Sequence, residues 1–538
     1  MPAATPSRFP ALVLPPAAAL AYAFGHLGWY LGTPLGRVPV LDERENIDLA
    51  RAIGSGTLAH EPFYRALGYP AVLASLRWLG VEGNALFPAA LVLGAILHAI
   101  NAALAAKIAG RWFGPSAGLI AGLLCAFDPV LVHYATQALD ATLGLTFFLA
   151  GLNFLAAAAA GSLGAASAHE KNPAPAFTGA SLAWALATLV RPNYLAVWVL
   201  APLFAAFWVW RLKRGADSHT EAPAGGAAAA LAGACAGAIL FAGAALIQWR
   251  VSGEAGFLPS QGAYNLWAAN RPGANGRYYS QQMSLPPELA GRNPARIESM
   301  ILYQKETGRS PDDFAAMNAY WRARFFREAA SHPVRWLRLL GSKAYSAVND
   351  WEQYNNKTFS FHKARSPWLR WNPLSWGLIL VPAVAGAARL AGEPASRQAR
   401  AALAVALAAA AMCTASLLLF FTSARFRLPL APLCAVLAAG ALASPFFWRT
   451  WSQPARLGLG AAAAFTAFAA FSRFGGVQDK ATYVQDHVLL ARAAYSVQDD
   501  ALALSEARAA LALRPGHPDA MLIARQAAEA LRAAAPSP

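Results

Sequence analysis

The chain has 538 residues, of which 57% are hydrophobic and only 13% charged, and its mean hydropathy is +0.35. A soluble chain would carry about a quarter charged residues, so a water-soluble globular protein is excluded. The net charge of +16 does not point to nucleic acid. Its Lys and Arg residues sit in short loops between apolar runs and in one long polar segment, not along a basic stripe with interleaved aromatics.

In chain order, Arg8 precedes an apolar run at 11–32. Ala21-Tyr22-Ala23 could serve as a signal-peptide cleavage site, but the run is long for such a segment and favours a retained helix. Further runs at 85–108, 115–134, 139–160, 178–195, 196–212, 227–248, 374–391, 401–421, 428–446 and 456–472 approach the ~20 residues needed to cross ~30 Å of hydrocarbon. These predict an all-α polytopic membrane protein with about eleven transmembrane helices. With the N-terminus inside, the inner loops hold Lys107 and Arg111, then Lys171, then Arg211, Lys213 and Arg214, then Arg389, Arg397 and Arg400, then Arg449 and Arg456. That satisfies the positive-inside rule and sends the C-terminus outside.

Two outer segments follow from this count. In 33–84, the stretch 64–80 is too short and interrupted to cross and is expected at the interface. The segment 249–373 holds seventeen basic against nine acidic residues, which suits an anionic partner or lipid headgroups. Within it, 313–349 predicts a helical hairpin. The tail 478–538 places Leu490, Ala491, Ala503, Ala510 and Pro515 at offsets of a helix–turn–helix repeat of about 34 residues. The expected units are 1–248, 249–373, 374–477 and 478–538. Cys125, Cys235, Cys413 and Cys434 all lie in apolar runs and are expected as small buried hydrophobes.

The loop after the first span reads Val40-Leu41-Asp42-Glu43-Arg44-Glu45-Asn46-Ile47. Adjacent carboxylates just outside a membrane helix suit a proton acceptor and its supporting partner. For an arbitrary Asp-Glu pair, the charged start of a short helix is the favoured reading. Arg425 and Arg427 sit on a short outer loop, at the depth of a lipid phosphate; the alternative is snorkelling to the interface. Arg191 is a similar phosphate candidate, or a partner for Asp140, which opens the fourth span. Asp128 before Pro129 is expected to be structural, and His60 and His133 stand alone. Glu352, Asn355 and Asn356 receive no role. No metal-ligand spacing occurs, so no cofactor is assigned; a single carboxylate-bound divalent cation stays compatible with the sequence.

Several of these stretches together resemble the GT-C glycosyltransferases, the class of protein O-mannosyltransferases, lipid A aminoarabinose transferases and bacterial galacturonosyltransferases of the Rgt type. Asp42-Glu43 followed by Glu61-Pro62-Phe63-Tyr64-Arg65-Ala66-Leu67-Gly68-Tyr69-Pro70 is similar to their first outer loop. Arg111-Trp112-Phe113-Gly114, Leu189-Val190-Arg191-Pro192-Asn193, Tyr264 to Gly276 and Ala424-Arg425-Phe426-Arg427-Leu428-Pro429 resemble later elements in the same order. Asn46 departs from the pattern, since many members have Tyr soon after the Asp-Glu. The resemblance implies sugar transfer from a polyprenyl-phosphate donor to a lipid, glycan or protein acceptor at the outer face of an inner membrane. By it, Asp42 is the catalytic carboxylate, supported by Glu43. Arg425, Arg427 and Arg191 hold donor phosphate, and Asp140, Tyr64, Arg65 and Asn193 bind substrate. An O-antigen ligase or polymerase, or a transporter or assembly protein, remains as an alternative. A transporter would show internal repeats and charged or broken helices at mid-membrane.

Overall fold

The computed structural model describes residues 9–161, 174–199, 203, 225–283, 293–392 and 397–534. They form an almost wholly helical protein. Among the described residues, five helices are long and apolar enough to cross a membrane: Gly83–Phe113, Asp140–Ala157, Leu231–Ser252, Ala399–Leu419 and Gln453–Phe471. The bent pair Pro115–Phe127 with Pro129–Ala135, which turns by 57°, would make a sixth if it counts as one span. The expected first span is the helix Phe9–Leu31. Three other expected spans are shorter apolar helices, Pro175–Val190, Trp376–Gly392 and Leu430–Leu442. The last rises about 20 Å at 1.5 Å per residue, less than a hydrocarbon core. The expected span 196–212 lies, beyond its first turn, outside the described residues.

The outward faces of these helices are apolar. On Gln453–Phe471, Leu457 is 66% exposed, Phe465 72% and Phe468 61%. A row of bare aromatics this large belongs against lipid, not water. The inward faces are built from small residues, among them Ala102, Ala105, Ala109, Ala117 and Ala121 in one core. Small side chains let helix backbones approach closely, which is how membrane helices gain packing energy where lipid offers no hydrophobic drive. Cys125 and Cys413 are buried as expected, but Cys235 is exposed on Gly225–Ser252.

The bend at residue 128 sets up everything downstream. Pro129 cannot donate to the preceding turn. Asp128 instead accepts from Val130 N at 2.8 Å and Leu131 N at 3.1 Å, capping the new helix. The chain then runs through a short connection into Asp140 at the start of the next helix. Gly94 lies against this bent segment, and a Cβ there would collide with the Ala135 carbonyl oxygen.

In the segment 249–373, Phe314–Ser331 and Pro333–Val348 are two helices broken at His332, but they do not close on each other as a hairpin: the first packs against Gln261–Ala268 and the second against Arg397–Leu419. Trp321 packs between Tyr264 and Trp267, with ring centroids 4.9 and 4.6 Å away. Lys343 is fully buried and donates to Asn270 Oδ1, Leu418 O and Phe420 O at 2.9, 3.0 and 2.7 Å. It thereby satisfies carbonyls left open at the C-terminal end of Arg397–Leu419. In the stretch 64–80, Tyr69 and Leu73 are buried while Trp78 and Leu79 point outward.

The tail holds three helices, Tyr483–Ser496, Asp500–Leu513 and Pro518–Ala534. Leu490, Ala491, Ala503 and Ala510 are buried and Pro515 is exposed in a turn. Buried Asp486 ties the tail down by accepting from Thr358 N at 2.8 Å and pairing with His362 Nε2 at 3.0 Å.

Replacing Gly94 by Val should force the bent segment away from Gly83–Phe113. The expected cost is about 1–3 kcal/mol of overpacking, read as a lower melting temperature of the detergent-purified protein. An unchanged melting temperature would mean the two helices do not meet here.

Candidate active site

The first turn of Asp42–Ser55 sorts its side chains by helical spacing, since residues three and four apart share a face. Asp42 and Glu45 lie on one face, and both pair with Arg65. Glu43 and Asn46 lie on the other and clamp the residues before Asp140. Glu43 Oε1 accepts from Ala138 N at 3.3 Å, and Asn46 Nδ2 donates to Ala138 O at 3.0 Å. The unusual Asn46 thus has a fixed structural job.

Asp140 and Asp42 converge on Arg425. Its Nη1 meets Asp42 Oδ2 at 2.6 Å, and its Nη2 pairs with Asp140 Oδ1. Arg425 rides on the single turn Ala424–Arg427, between two apolar helices. Arg191 completes the row, with Nε 3.8 Å from Asp140 Oδ2 and Nη1 donating to the Arg425 carbonyl at 3.2 Å. It directly precedes Pro192, whose ring disfavours helix at residue 191, and the observed φ −143° and ψ 112° are extended. The result is an alternating series, Glu45, Arg65, Asp42, Arg425, Asp140, Arg191, drawn from four regions of the chain.

The series borders a cavity of about 1720 Å³. Asp42, Tyr64, Arg65, Asp140, Arg191, Asn193 and Arg425 all line it. One flank is apolar, from Met412, Ala415 and Leu419 of the helix Arg397–Leu419 with Phe426. Gln485, Val488, Arg492 and Leu522 of the tail close another side. Arg296 stands over the Tyr64 ring at 5.5 Å.

The structure places two of the expected site residues away from the cavity. Glu43 does not reach the cavity: it is 1% exposed and holds Lys357 Nζ at 2.8 Å, which also donates to Tyr30 OH at 2.8 Å. Burial would hold the Lys357 ammonium down, but Glu43 and Tyr30 outweigh it and keep its pKa raised. Arg427 is likewise not a cavity residue. It pairs with Glu352, donates to Asn349 O and Ala347 O at 2.5 and 3.2 Å, and stacks over Trp376 at 4.7 Å. Every second residue of this turn faces the same way only in a strand; on a helix 425 and 427 diverge by about 200°. Arg425 does face the cavity, though already engaged by two carboxylates.

Residues without an assigned role also enter the site. Tyr354, Asn355 and Asn356 line the cavity. Asn355 Nδ2 donates to Ser423 Oγ at 3.0 Å. Asn356 has φ 60° and its side chain lies against Asp42, and the buried Nε of Arg425 has no hydrogen-bond partner. Leu41, directly before Asp42, also has positive φ, at 48°. Such backbone costs about 1–3 kcal/mol and persists where surrounding contacts over-determine it. Glu45 could have been suspected from its i+3 relation to Asp42; Lys357 and Asn356 gave no such local signal. Among the described residues, no group of three or more His, Cys, Asp or Glu is arranged to hold a metal ion.

Burial alone would push the Asp42 carboxyl up, but Arg65 and then Arg425 overcome this and hold it well below its ordinary value of 3.8. Such a group contributes stability above the ordinary value and loses it as pH falls through the depressed one. The melting-temperature difference between wild type and Asp42→Asn should therefore stay flat from about pH 5 to 8 and narrow only below about pH 4. A difference that closes between pH 5 and 7 would remove the arginine pairing.

No protein-family model matches the chain, and no curated protein does either. Among solved structures it is similar to the oligosaccharyltransferase AglB of Archaeoglobus fulgidus in complex with an inhibitory peptide and a dolichol-phosphate. That match has 14% identity and a TM-score of 0.46, covering 90% of this chain and 58% of that one. The apo form of the Archaeoglobus fulgidus oligosaccharyltransferase matches at 13% identity and a TM-score of 0.47, covering 89% and 57%. The same enzyme tethered to an acceptor peptide matches at 15% and 0.43, covering 90% and 57%. The chain spans less than two thirds of the length of each.

Breaking the inner clamp should be costly. Lys357→Met leaves the Glu43 carboxylate buried without a cation and should lose about 3–5 kcal/mol of unfolding free energy. The double replacement Lys357→Met with Glu43→Leu should recover most of that, as followed by denaturation in detergent.

Proposed function

We propose that the protein is a membrane glycosyltransferase that moves a sugar from a polyprenyl-phosphate donor to an acceptor hydroxyl at the outer face of the membrane. One observation carries this reading: Asp42 and Arg425, 383 residues apart in sequence, meet at 2.6 Å inside a cavity with one apolar flank. A lipid-linked donor needs that combination. Its tail demands apolar surface, its phosphate a cation, and its sugar a carboxylate close to the phosphate. The outer placement is supported by Arg111 and Arg389, which lie at the opposite end of the bundle; Arg389 stands 5.6 Å from the Phe113 ring.

In the proposed reaction the acceptor oxygen attacks the anomeric carbon, and Asp42 takes the hydroxyl proton. The bond from that carbon to the phosphate oxygen breaks, and the phosphate leaves with the electron pair, inverting the centre. Arg425 stabilises the departing charge, since charge-assisted bonds to phosphate are strong in a water-poor site. In the free protein Arg425 is spent on Asp42 and Asp140. An arriving phosphate competes with both, helped by the unpartnered Nε of Arg425. As Arg425 turns toward phosphate, Asp42 loses one of its two cations and becomes a better base. Arg65 and Glu45 hold Asp42 in place through the exchange. Glu43 and Arg427 are positioning residues in this scheme, acting on the backbone that carries Asp42 and Arg425.

Asp42→Asn keeps the side-chain shape and one oxygen for an arginine, and removes the base. Transfer from a radiolabelled polyprenyl-phosphate sugar in membranes should fall by about 10²–10⁴, with abundance unchanged. Wild-type transfer by this variant would end the proposal. Arg425→Ala should raise KM for the donor more than for the acceptor; equal effects on both would remove the phosphate role.

A further inference from the structure

We infer that Arg425 stands in the place a divalent cation would take between Asp42 and Asp140, so the site draws its bridging positive charge from a side chain. The inference rests on the preceding reading only in treating these two carboxylates as the working pair. Its support is the pairing of the two carboxylates. Asp42 presents Oδ1 to Arg65 and Oδ2 to Arg425, while Asp140 presents Oδ1 to Arg425 and has Arg191 Nε 3.8 Å from its Oδ2. The two oxygens that face one another, Asp42 Oδ2 and Asp140 Oδ1, are both held by Arg425, so an ion could bridge them only by displacing its guanidinium. The two terminal nitrogens of one guanidinium reach different carboxylates, which is the connection a bridging metal makes.

Charge balance argues the same way. Glu45, Asp42 and Asp140 are offset by Arg65, Arg425 and Arg191, so the series is neutral as it stands. Adding a doubly charged ion would leave two uncompensated positive charges among side chains that are 5–26% exposed. Taking charge out of water without a partner is the most expensive operation in a protein interior. Magnesium and manganese also require near-octahedral oxygen donors, which these engaged carboxylates do not offer. Removing the Arg425 charge reverses the balance: Asp42 Oδ2 and Asp140 Oδ1 lose their shared partner and face each other across the vacated guanidinium site, a two-carboxylate arrangement suited to a hard divalent ion.

The test uses the full chain in detergent with Mn²⁺ as the probe, so it needs neither sugar nor acceptor. Bound manganese is counted by mass spectrometry after desalting, and affinity is read by electron paramagnetic resonance. Wild type should retain no manganese that depends on Asp42 or Asp140. Arg425→Met should bind one equivalent, at least about tenfold more tightly than wild type, and the further change Asp140→Asn should abolish that binding. Arg425→Gln serves as a second neutral variant if the methionine protein does not fold. A wild-type equivalent removed by Asp42→Asn or Asp140→Asn would overturn the inference. So would a folded neutral variant that takes up no ion. Because metal uptake is measured apart from transfer, a failure here leaves the glycosyltransferase reading to its own test.

Discussion

The alternating series from Glu45 to Arg191 is the constraint on which the rest of the structure depends. Six charged side chains from four distant regions are gathered where water is scarce, and each charge is tolerable only because its neighbours carry the opposite sign. No segment can leave without stranding a partner. The helix ends agree with this arrangement. Asp42 and Asp140 open their helices, where the partial positive charge of free N–H groups favours carboxylates. Arg191 follows the end of Ala174–Val190, where cations are favoured. The electrostatics of the helices and of the side chains therefore point to the same end of the bundle.

A second set of buried polar contacts holds that series in register. Glu43 and Asn46 bind both backbone groups of Ala138, two residues before Asp140. Lys357 joins Glu43 to Tyr30 of the first helix. Arg427 with Glu352, and Lys343 with the end of Arg397–Leu419, fasten the segment 249–373 to the apolar helices. The segment 249–373 is thus part of the site: its Asn355 and Asn356 line the cavity, and its Lys357 pairs with Glu43 on the helix that carries Asp42. The positive φ values at Leu41 and Asn356 fall on either side of this junction, where tertiary contacts are dense enough to impose them.

Much of the architecture was legible in the sequence because apolar length is a one-dimensional property. A run of twenty apolar residues has few options in lipid, since every backbone group must be satisfied within a helix. Helices stand in most of the expected stretches among the described residues, though 115–134 is broken at residue 128 and three others are short, and the two helices within 313–349 and those of the tail follow from periodicity in the same way. Asp42, Asp140, Arg191 and Arg425 were also identifiable as charges at span ends, where burial is costly and demands a reason.

What the sequence by itself determined was therefore the helical membrane fold and the set of charged residues worth watching. Only the tertiary structure decided which of them act together. It separated Arg425 from Arg427, and Asp42 from Glu43, by turning neighbours onto different helix faces. It also recruited Glu45, Asn356 and Lys357, and closed the cavity with the tail. Hydropathy and helical period are local, whereas the partner of a buried charge is fixed by which chain segments fold next to it. Pairings that span hundreds of residues leave no trace in the spacing of either member.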